Sequence, residues 1–597
     1  MNLDVYLVPV GDEHFNENLT PSEERVKMLT GFTGTYGMAV VGKTNAFFTS
    51  YQFTEIAAQE LKGFELMIET RGADLPTHLQ SKGVKTAGIN PRLITSKQYI
   101  ELFNLLKAKG IQLIPYEEDL IEKVWTARPK REFKKIISIE NRKMEEFVSQ
   151  DFIKQFKEFA IGPPRVLGDR SEDDGPKSYD LDVQVNGESY KDRIKRIQSK
   201  IKSDEGLVVS SLDSIGWLLN LRGHDIDYSA SFYSFVYMTR DNVKLFVGAP
   251  VDIKGVEVMK YNDFYDFIAE VKEEKVLVSG DVNYEIYRRL KNPEYSDILL
   301  NEEVLKNNVE LFGYKNAAIK DGTAMIQLFS WIEKNIDNRL TEIDIRTKMY
   351  ELKAKEKGYV SESFEPLVAS GPNSARIYHK ASKRVLKRDE ILLVDTGSHY
   401  FHGTTDLTRT VVFGTPTKDM IKYYTIVLQS LIDGKYIAKS KITGKEIDDK
   451  LRKHLRAIGR DFPTSSGHGV GYFGQVHEKL PKINYDNDVL YTFNSYTLEP
   501  TYFDANMGIR IEDQVFNNRK GKLFYQTNLT YTPLDLKMVD PNELTDEQLN
   551  FVNGYSAKLR EFLTPILKNK KDAFDYLMRN TEKLTKTSNS LLENPKT

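Results

Sequence analysis

The sequence contains no cysteine among its 597 residues. Disulfide bonds, thiolate nucleophiles and cysteine-ligated zinc are therefore excluded, and any metal site must be built from His, Asp and Glu. An excess of one charge is also missing, because 84 Lys and Arg face 86 Asp and Glu. A nucleic-acid-binding protein usually shows a basic excess or a basic face, so the composition does not indicate a nucleic-acid partner.

Long apolar runs are absent too. No stretch reaches the roughly 18 consecutive apolar residues that predict a membrane-spanning helix. The N-terminal sequence MNLDVYLVPVGDEHF lacks the basic start, the long apolar core and the small-residue cleavage site of a signal peptide. We therefore expect a cytoplasmic protein without a membrane partner.

The length of the chain predicts several domains, because single hydrophobic cores stop growing near about 250–300 residues. Residues 1–127 alternate short β-type runs with helical stretches at Thr54–Leu61 and Ser96–Lys109, which predicts an α/β domain. Residues 187–305 repeat this alternation. We therefore predict two related α/β domains in the first half of the chain.

A segment of different character, residues 128–186, lies between these domains. Its charged part at 133–160 predicts an inserted helix, and its Gly-, Pro- and acid-rich part at 162–180 predicts a linker. We therefore predict an inserted helix and a linker here, separate from the domains on either side.

The third section, residues 306–597, begins with helical periodicity at 309–336 and a second helix near Glu342–Lys357. Strand-rich sequence follows, and a helical tail is predicted at 544–567. The last residues, 587–597, are expected to be frayed.

Two aspartates in this section, Asp395 and Asp406, lie in the stretch EILLVDTGSHYFHGTTDLTRTVVFG, which predicts two strands and a turn. Asp395 directly follows the apolar run Ile391–Val394, where a lone buried carboxylate would cost several kcal/mol. A turn or cap role explains one such aspartate. A pair brought together by a hairpin favours a binding site.

Three further side chains add a nitrogen ligand and two more carboxylates to this pair. His468 lies between glycines in SSGHGVGYFGQVHE, Glu499 at a strand end and Glu512 within a strand. With the two aspartates they form a set of one nitrogen and four carboxylate ligands, which suits two divalent ions such as Mn²⁺, Co²⁺ or Zn²⁺. Without cations, four converging carboxylates would repel one another.

The motifs DTG, DLTRT, GHGVG, LEP and GIRIED resemble those of the pita-bread metallopeptidase family, which contains methionine aminopeptidase, prolidase and aminopeptidase P. The match is closest to the three-domain Xaa-Pro aminopeptidases, which MLTGFTGTYGMAVV and KNNVELFGYKNAAIKDG also resemble. The resemblance implies two related α/β domains followed by a C-terminal pita-bread catalytic domain at 306–597. It also implies a homodimer.

The resemblance further implies a role for each ligand. Asp395 would bind one ion, His468 and Glu499 the other, and Asp406 and Glu512 would bridge the two. A hydroxide held between the ions, which we expect to be Mn²⁺, would attack the scissile carbonyl, with Glu499 as proton carrier. The expected substrates are peptides with proline at the second position, from which the N-terminal residue is removed.

Three more residues are expected to contact the substrate or the ligands. His477 matches a family position that hydrogen-bonds the substrate. His379, in ASGPNSARIYHKAS, resembles a substrate-contacting histidine that stabilises the oxyanion, although Tyr378 stands at the usual spacing. Arg510, two positions before Glu512, is expected to hold a ligand carboxylate and to contribute to substrate binding.

The chain also departs from the family pattern. Thr464 replaces a common histidine, and FFTSYQF replaces a familiar stretch of the first domain. His399 and His402, in the turn between the two aspartates, lie where the family varies, and we assign them ordinary structural roles.

Two alternative functions stay open. A prolidase-type Xaa-Pro dipeptidase shares the metal ligands but usually has one N-terminal domain, so the two α/β rounds favour the aminopeptidase. A non-catalytic pita-bread binding or scaffold protein typically loses ligands, whereas this sequence keeps all five.

Overall fold

The computed structural model describes residues 3–69, 74–149, 152, 184–435, 437–438, 442–485, 493–520 and 523–586. The chain divides into two compact units. Unit 1 consists of Met1–Glu140 and Glu188–Glu303, and unit 2 consists of Asn141–Gly187 and Val304–Thr597. The division falls inside the predicted insertion. The four-part domain boundaries proposed from the sequence stay a prediction.

Unit 1 contains two six-stranded sheets. The first is ordered β4-β3-β2-β1-β5-β6 and consists of β1 (Val5–Pro9), β2 (Met38–Gly42), β3 (Ala46–Thr49), β4 (Glu65–Ile68), β5 (Thr86–Ile89) and β6 (Gln112–Pro115). Its helices are α1 (Arg25–Thr30), α2 (Thr54–Glu60), α3 (Asp74–Ser81), α4 (Ser96–Ala108) and α5 (Leu120–Val124). Because successive strand residues point to opposite faces, Leu7 and Tyr6 enter different apolar clusters.

The second sheet is ordered β12-β11-β10-β8-β13-β14. Its strands are β8 (Glu205–Val209), β10 (Ser234–Thr239), β11 (Val243–Val247), β12 (Glu257–Lys260), β13 (Lys275–Val278) and β14 (Pro293–Tyr295). Its helices are α6 (Tyr190–Gln198), α7 (Leu212–Leu219), α8 (Phe264–Ala269), α9 (Tyr284–Arg289) and α10 (Ile298–Glu303). A separate pair joins β7 (Ile137–Ser138) to β9 (Leu221–Arg222).

The two sheets follow one plan. In each, a central strand pairs in antiparallel fashion with the strand on one side and in parallel fashion with the strand on the other. The outer pairs also have the same relative directions in both sheets. This confirms the prediction of two related α/β domains.

Unit 2 is built around a nine-stranded sheet, in which β16-β17-β20-β27-β24-β22-β23 form one path and β28 extends from β27 to β21. Its strands are β16 (Leu367–Ser370), β17 (Leu392–Thr396), β20 (Leu407–Val411), β21 (Ile437–Ala438), β22 (His468–Gly469), β23 (Glu478–Lys482), β24 (Ser495–Leu498), β27 (Glu512–Lys520) and β28 (Leu523–Asn528). A three-stranded sheet contains β15 (Tyr359–Glu362), β18 (Ser398–Tyr400) and β19 (Gly403–Thr404), and β25 (Thr501–Phe503) pairs with β26 (Gly508–Arg510).

The helices of unit 2 are α11 (Asn308–Asn335), α12 (Glu342–Lys353), α13 (Lys418–Gly434), α14 (Gly444–Ala457), α15 (Asp546–Leu567) and α16 (Lys571–Arg579). Asn307, Thr341, Thr417 and Thr443 start the first four, each by accepting hydrogen bonds from the first turn in a capping box. The predicted helices at 309–336 and 544–567 are confirmed by α11 and α15.

The helix predicted at 133–160 is wrong at residues 133–149, whereas Phe152 is helical. Residues 133–149 contain the short strand Ile137–Ser138 and a 3₁₀ turn at Met144–Glu146. The strand forms because Ile137–Ser138 pairs with Leu221–Arg222, which supplies tertiary hydrogen bonds that local periodicity does not show. Residues 153–160, the predicted linker at 162–180 and the tail at 587–597 lie outside the described residues.

Candidate metal centre

Adjacent strands of the nine-stranded sheet bring the predicted ligands to one level. Asp395 in β17 lies opposite Thr408 in β20, and Thr408 lies opposite Glu512, the first residue of β27. Asp406 directly precedes β20. Three neighbouring strands thus place three carboxylates side by side, as the predicted hairpin requires.

The next two strands complete the row. β24 pairs with β27 so that Leu498 lies opposite Asp513. Glu499, directly after β24, is therefore level with Glu512, because antiparallel pairing runs in opposite directions along the two strands. His468 begins β22, the strand that pairs with β24.

The side chains of this row converge. Three groups of possible metal ligands occur among the described residues, and in each group the ligand atoms lie within 4.8 Å of one another: Asp395, Asp406 and Glu512; His468, Glu499 and Glu512; and Asp406, His468 and His477. Glu512 belongs to two of these groups, so two neighbouring positions share one carboxylate. The fold thus gathers the five predicted ligands, whose individual roles stay predictions.

The histidine of the row presents its second ring nitrogen to the acids. His468 Nδ1 lies 2.9 Å from the carbonyl oxygen of Gly469. Because a carbonyl only accepts, Nδ1 carries the proton, and a neutral ring keeps a lone pair on Nε2. Nε2 lies 3.3 Å from Asp406 Oδ2 and 3.7 Å from Glu499 Oε1. This is the tautomer that a metal-binding histidine needs.

The electrostatics of the row fit cations. Burial raises the pKa of Glu512 well above its usual range, and the nearby carboxylates of Asp406, Glu499 and Asp395 raise it further. Burial likewise raises the pKa values of Glu499 and Asp395 above their ordinary range, although His468 and Arg510 oppose this effect. Negative charge is therefore in excess.

One oxygen of the row is notably unpaired. Asp395 Oδ1 is buried and has no hydrogen-bond partner among the described residues. A buried carboxylate oxygen without a donor is costly, whereas a hard cation would satisfy it. The donor set of one imidazole and four carboxylates suits Mn²⁺, Co²⁺ or Zn²⁺. The residues present therefore fit a pair of divalent ions.

Arg510 lies against this row. Its Nη2 donates to Asp395 Oδ2 at 2.5 Å and its Nε donates to Thr408 Oγ1 at 3.1 Å. Burial would lower the pKa of Arg510, but Asp395, Glu499 and Glu512 outweigh it and raise that pKa. The guanidinium holds a predicted ligand carboxylate, as expected. A contribution to substrate binding stays a prediction.

His477 stands at the open side of the row. Its side chain is exposed, and its ring lies 4.3 Å from that of His468 at an angle of 80°. A side chain that is exposed and close to the ligands is well placed to meet a substrate. Its predicted role is consistent with this position.

His379 is held in a different network. Its Nε2 lies 2.7 Å from Glu342 Oε2, and its side chain is only 6% exposed. Burial would raise the pKa of Glu342, but hydrogen bonds from His379, Ser382 and Asn373 outweigh it and lower that pKa to about 2. Tyr378, by contrast, is 48% exposed. The predicted substrate role of His379 stays a prediction, with Nε2 engaged by Glu342.

The two histidines between the aspartates are buried, and each ring has a hydrogen-bond partner. His399 Nδ1 lies 3.1 Å from Thr404 Oγ1, and His402 Nε2 lies 2.8 Å from Asn316 Oδ1. Neither belongs to a possible ligand group in the described part of the chain. Their assignment to structural roles agrees with these contacts.

Sequence reasoning missed a buried network behind the ligand hairpin. Asp321 accepts hydrogen bonds from Ser398, Tyr400 and Thr405, which surround the hairpin turn. Lys353 Nζ donates to Thr396 Oγ1 at 2.6 Å and to Glu362 Oε2 at 2.8 Å. Thr396 directly follows Asp395 in the chain. The available signal was Asp321 itself, which together with Lys320 interrupts the mostly apolar stretch AAIKDGTAMI of α11.

Models of known protein families match most of the chain. Residues 313–517 match the model of metallopeptidase family M24. Residues 3–124 and 169–310 each match the creatinase/prolidase N-terminal domain, and residues 524–584 match the C-terminal region of peptidase M24. The five predicted ligands all lie within the M24 match.

Curated relatives and solved structures agree with these matches. The chain is 28% identical to a probable Xaa-Pro aminopeptidase P of Coprinopsis cinerea, over 97% of this chain and 96% of the relative. It is also 28% identical to the protein of that name from Ajellomyces dermatitidis, with the same coverage. A crystal structure of X-prolyl aminopeptidase from Caenorhabditis elegans, described as a cytosolic enzyme with a di-nuclear active site, superposes with a TM-score of 0.86 at 24% identity, covering 98% of this chain and 96% of that one.

The likeness to the nematode structure shows the same fold along almost the whole chain, which confirms the predicted pita-bread fold. Among the described helices, none has the length and apolar character needed to cross a membrane. The chain is thus similar to metallopeptidase family M24 at residues 313–517, and to the creatinase/prolidase N-terminal domain at residues 3–124 and again at 169–310.

Proposed function

We propose that this protein is a metal-dependent aminopeptidase that hydrolyses the bond between an N-terminal residue and a following proline. The observation that carries the proposal is the convergence of Asp395, Asp406, His468, Glu499 and Glu512 in one partly buried row. The relatives named Xaa-Pro aminopeptidase P, matched from end to end, support the choice of substrate.

We propose that the row holds two divalent ions. Asp395 and the pair His468 and Glu499 would each serve one ion, and Asp406 and Glu512 would serve both. When bound, such ions act as Lewis acids and make a water-derived nucleophile available at neutral pH. The excess of buried carboxylates supports this assignment, because two cations would neutralise it.

Glu499 is the proton carrier of the proposed reaction. Its carboxyl group lies within the row, with Oε1 3.7 Å from His468 Nε2. Thr497 Oγ1 donates to Glu499 Oε1 at 3.3 Å, which helps to orient the carboxyl. Glu499 can thus accept a proton on one of its oxygens and release it to the leaving nitrogen.

Arg510 and His477 orient the other participants. Arg510 fixes Asp395 through a bond to Oδ2, which leaves Oδ1 directed away from the guanidinium. The exposed ring of His477, edge-on to His468, is placed to hydrogen-bond a peptide at the scissile bond. The proline ring of the substrate fixes its backbone φ and removes the amide N–H, so His477 cannot accept a hydrogen bond from that nitrogen.

Three further features belong to this proposal. We propose Mn²⁺ as the native ion, because the donor set is rich in carboxylates. We propose a homodimer by resemblance to the aminopeptidase P group. A cytoplasmic location is supported by the nematode relative, which is described as cytosolic.

A peptide assay with added Mn²⁺ tests the function. We expect cleavage of Xaa-Pro-Xaa tripeptides, release of the N-terminal residue, and much slower cleavage of matched peptides with alanine at the second position. Cleavage of Xaa-Pro dipeptides alone would favour a prolidase. No cleavage of any peptide, with no bound ion, would favour a binding or scaffold protein.

A further inference from the structure

Two separated stretches of the predicted insertion, one beginning at Arg142 and one at Gln184, meet within unit 2. The amide of Val185 donates to the carbonyl of Arg142 at 3.0 Å. Lys143 and Gln184 form an antiparallel bridge beside this bond. We call residues Arg142–Val148 and Gln184–Gly187 the insertion base.

The upstream half of the insertion base packs on the turn of the ligand hairpin. The Phe147 ring stacks on Phe401 at 5.2 Å and on His402 at 5.5 Å. The Arg142 guanidinium lies 4.9 Å from the centre of the Phe401 ring. Lys320 Nζ donates to the carbonyl of Phe147 at 3.1 Å. These contacts bury Phe147 and fix Phe401 from one side.

The downstream half is bound by the loop between the two histidines of the candidate metal centre, His468–His477, which we call the histidine loop. The Tyr472 hydroxyl donates to the carbonyl of Val185 at 2.5 Å. Both residues are buried, and a hydrogen bond shielded from water is stronger than an exposed one. Asn307 Nδ2 anchors the neighbouring carbonyl of Asn186 at 2.8 Å.

The next residue of the histidine loop is constrained as well. Phe473 has a φ of 44°, in the left-handed region that a bulky side chain rarely adopts. Its ring is fully buried and lies 5.4 Å from Phe401 at an angle of 70°. A strained backbone persists only when its surroundings hold it, and Phe401 is itself stacked on Phe147. The insertion base therefore contacts Tyr472 directly and Phe473 through the ring of Phe401.

We propose that the insertion base is a positioning element for the histidine loop, acting through Tyr472 and Phe473. The loop joins a predicted ligand, His468, to the candidate substrate contact, His477. A displacement of about 1 Å in such a group lowers the rate by about 100-fold. The kinetic consequence rests on the proposed aminopeptidase function, whereas the structural one does not.

The Tyr472→Phe variant tests the direct contact, because it removes only the hydroxyl. We expect kcat/KM for an Xaa-Pro-Xaa peptide to fall about 10-fold, which corresponds to one buried hydrogen bond, at unchanged metal content. Tyr190→Phe is the matched control, since the buried Tyr190 hydroxyl also donates to a backbone carbonyl, that of Lys254 at 2.8 Å in unit 1. The control is expected to retain wild-type kinetics.

Hydrogen–deuterium exchange of the full chain supplies a readout that does not depend on turnover. In Tyr472→Phe we expect faster exchange of the amides at 469–477, including that of Gly471, which donates to the carbonyl of Gln475 at 2.9 Å in the intact loop. The Tyr190→Phe control should leave these amides unchanged. Faster exchange in a protein that cleaves no Xaa-Pro peptide would uphold the positioning element and refute the proposed function.

The Phe147→Leu variant tests the contact that reaches Phe473 through Phe401, and it keeps an apolar side chain at position 147. It removes the ring stacked on Phe401, so we expect faster exchange at 469–477 and a smaller loss of kcat/KM, about 3-fold. Phe32→Leu, which removes a buried ring 4.6 Å from Phe47 in unit 1, is its control. Unchanged exchange in both the Tyr472 and the Phe147 variants, or faster exchange with unchanged kcat/KM, would overturn the proposal.

Discussion

Each unit of the molecule buries a cluster of charged side chains, but the two clusters are balanced differently. In unit 1, Arg25 lies 2.6 Å from Glu23 and 2.5 Å from Asp119, and Arg131 lies 2.8 Å from Glu13 and 2.9 Å from Glu23. In the candidate metal centre of unit 2, four carboxylates face a single guanidinium and the imidazoles of His468 and His477. With Arg128, which lies 3.3 Å from Glu23, three guanidinium groups face the three carboxylates of the first cluster, whereas carboxylates are in excess in the second.

The pKa values follow this balance rather than the burial. Burial tends to raise the pKa values of Glu13 and Glu23, but arginines outweigh it and lower both. Burial also raises the pKa of Glu512, and there the neighbouring acids add to the effect. Equally buried acids thus shift in opposite directions. A buried ionic cluster therefore suggests a cation site when its own charges leave an excess of anions.

The largest effect is expected from removing a shared ligand. Asp406→Ala and Glu512→Ala should each lower kcat/KM by about 10⁴-fold, because each removes a carboxylate proposed to serve both ions. Unit 1 should stay folded, since neither residue belongs to it. Steady-state kinetics with an Xaa-Pro-Xaa peptide measure this, with the exposed Glu547→Ala as control. Near-normal turnover in either variant would remove the residue from the site.

The two clusters should also differ in how the loss of one acid changes the stability of the metal-free protein. Glu23→Gln removes the buried carboxylate that Arg25 and Arg131 share, so the free energy of unfolding should fall by about 3–5 kcal/mol. Glu512→Gln in the metal-free protein should be neutral or stabilising, because it relieves repulsion among acids. Urea unfolding of both metal-free variants compares them directly. Equal losses of stability would erase the distinction between the clusters.

His477 separates catalysis from ion binding within the unbalanced cluster. His477→Ala should lower kcat/KM by about 100-fold while the metal content stays that of the wild type, because the other ligand groups do not include it. Parallel kinetics and metal analysis of the variant decide this. Unaltered kinetics would show that the ring has no part in the reaction.

Glu342 is an intermediate case, a buried carboxylate held by neutral donors and one histidine. Its folded pKa of about 2 lies below the ordinary value of 4.5, so the stability it contributes is present above pH 4.5 and is lost as the pH falls towards 2. The destabilisation caused by Glu342→Gln should therefore shrink by less than about 1 kcal/mol between pH 7 and pH 4. Urea unfolding at the two pH values tests this, and a difference that grows on acidification would contradict it.

Much of this architecture could be predicted from local sequence. The two α/β domains follow from alternating runs, and the candidate ligands stand in motifs at strand ends such as DTG and GHGVG. The hairpin of Asp395 and Asp406 lies within about a dozen residues, so a local pattern shows it.

The remainder depends on contacts between distant segments. Glu342 meets His379 from 37 residues away, and Lys353 meets Thr396 from 43. No periodicity marks such pairs. The helix predicted at 133–160 failed at 133–149 because Ile137–Ser138 pairs with Leu221–Arg222. Likewise, the contact between Tyr472 and Val185 spans 287 positions. These are tertiary interactions, which override local propensity.

Metal analysis of the purified protein is the sharpest test of the proposed two-ion centre. We expect two divalent ions per wild-type chain after equilibration with Mn²⁺, loss of activity on chelation, and fewer than two ions in Glu512→Ala at the same free Mn²⁺ concentration. A wild-type protein that binds no divalent ion, or whose activity is indifferent to chelation, would contradict it.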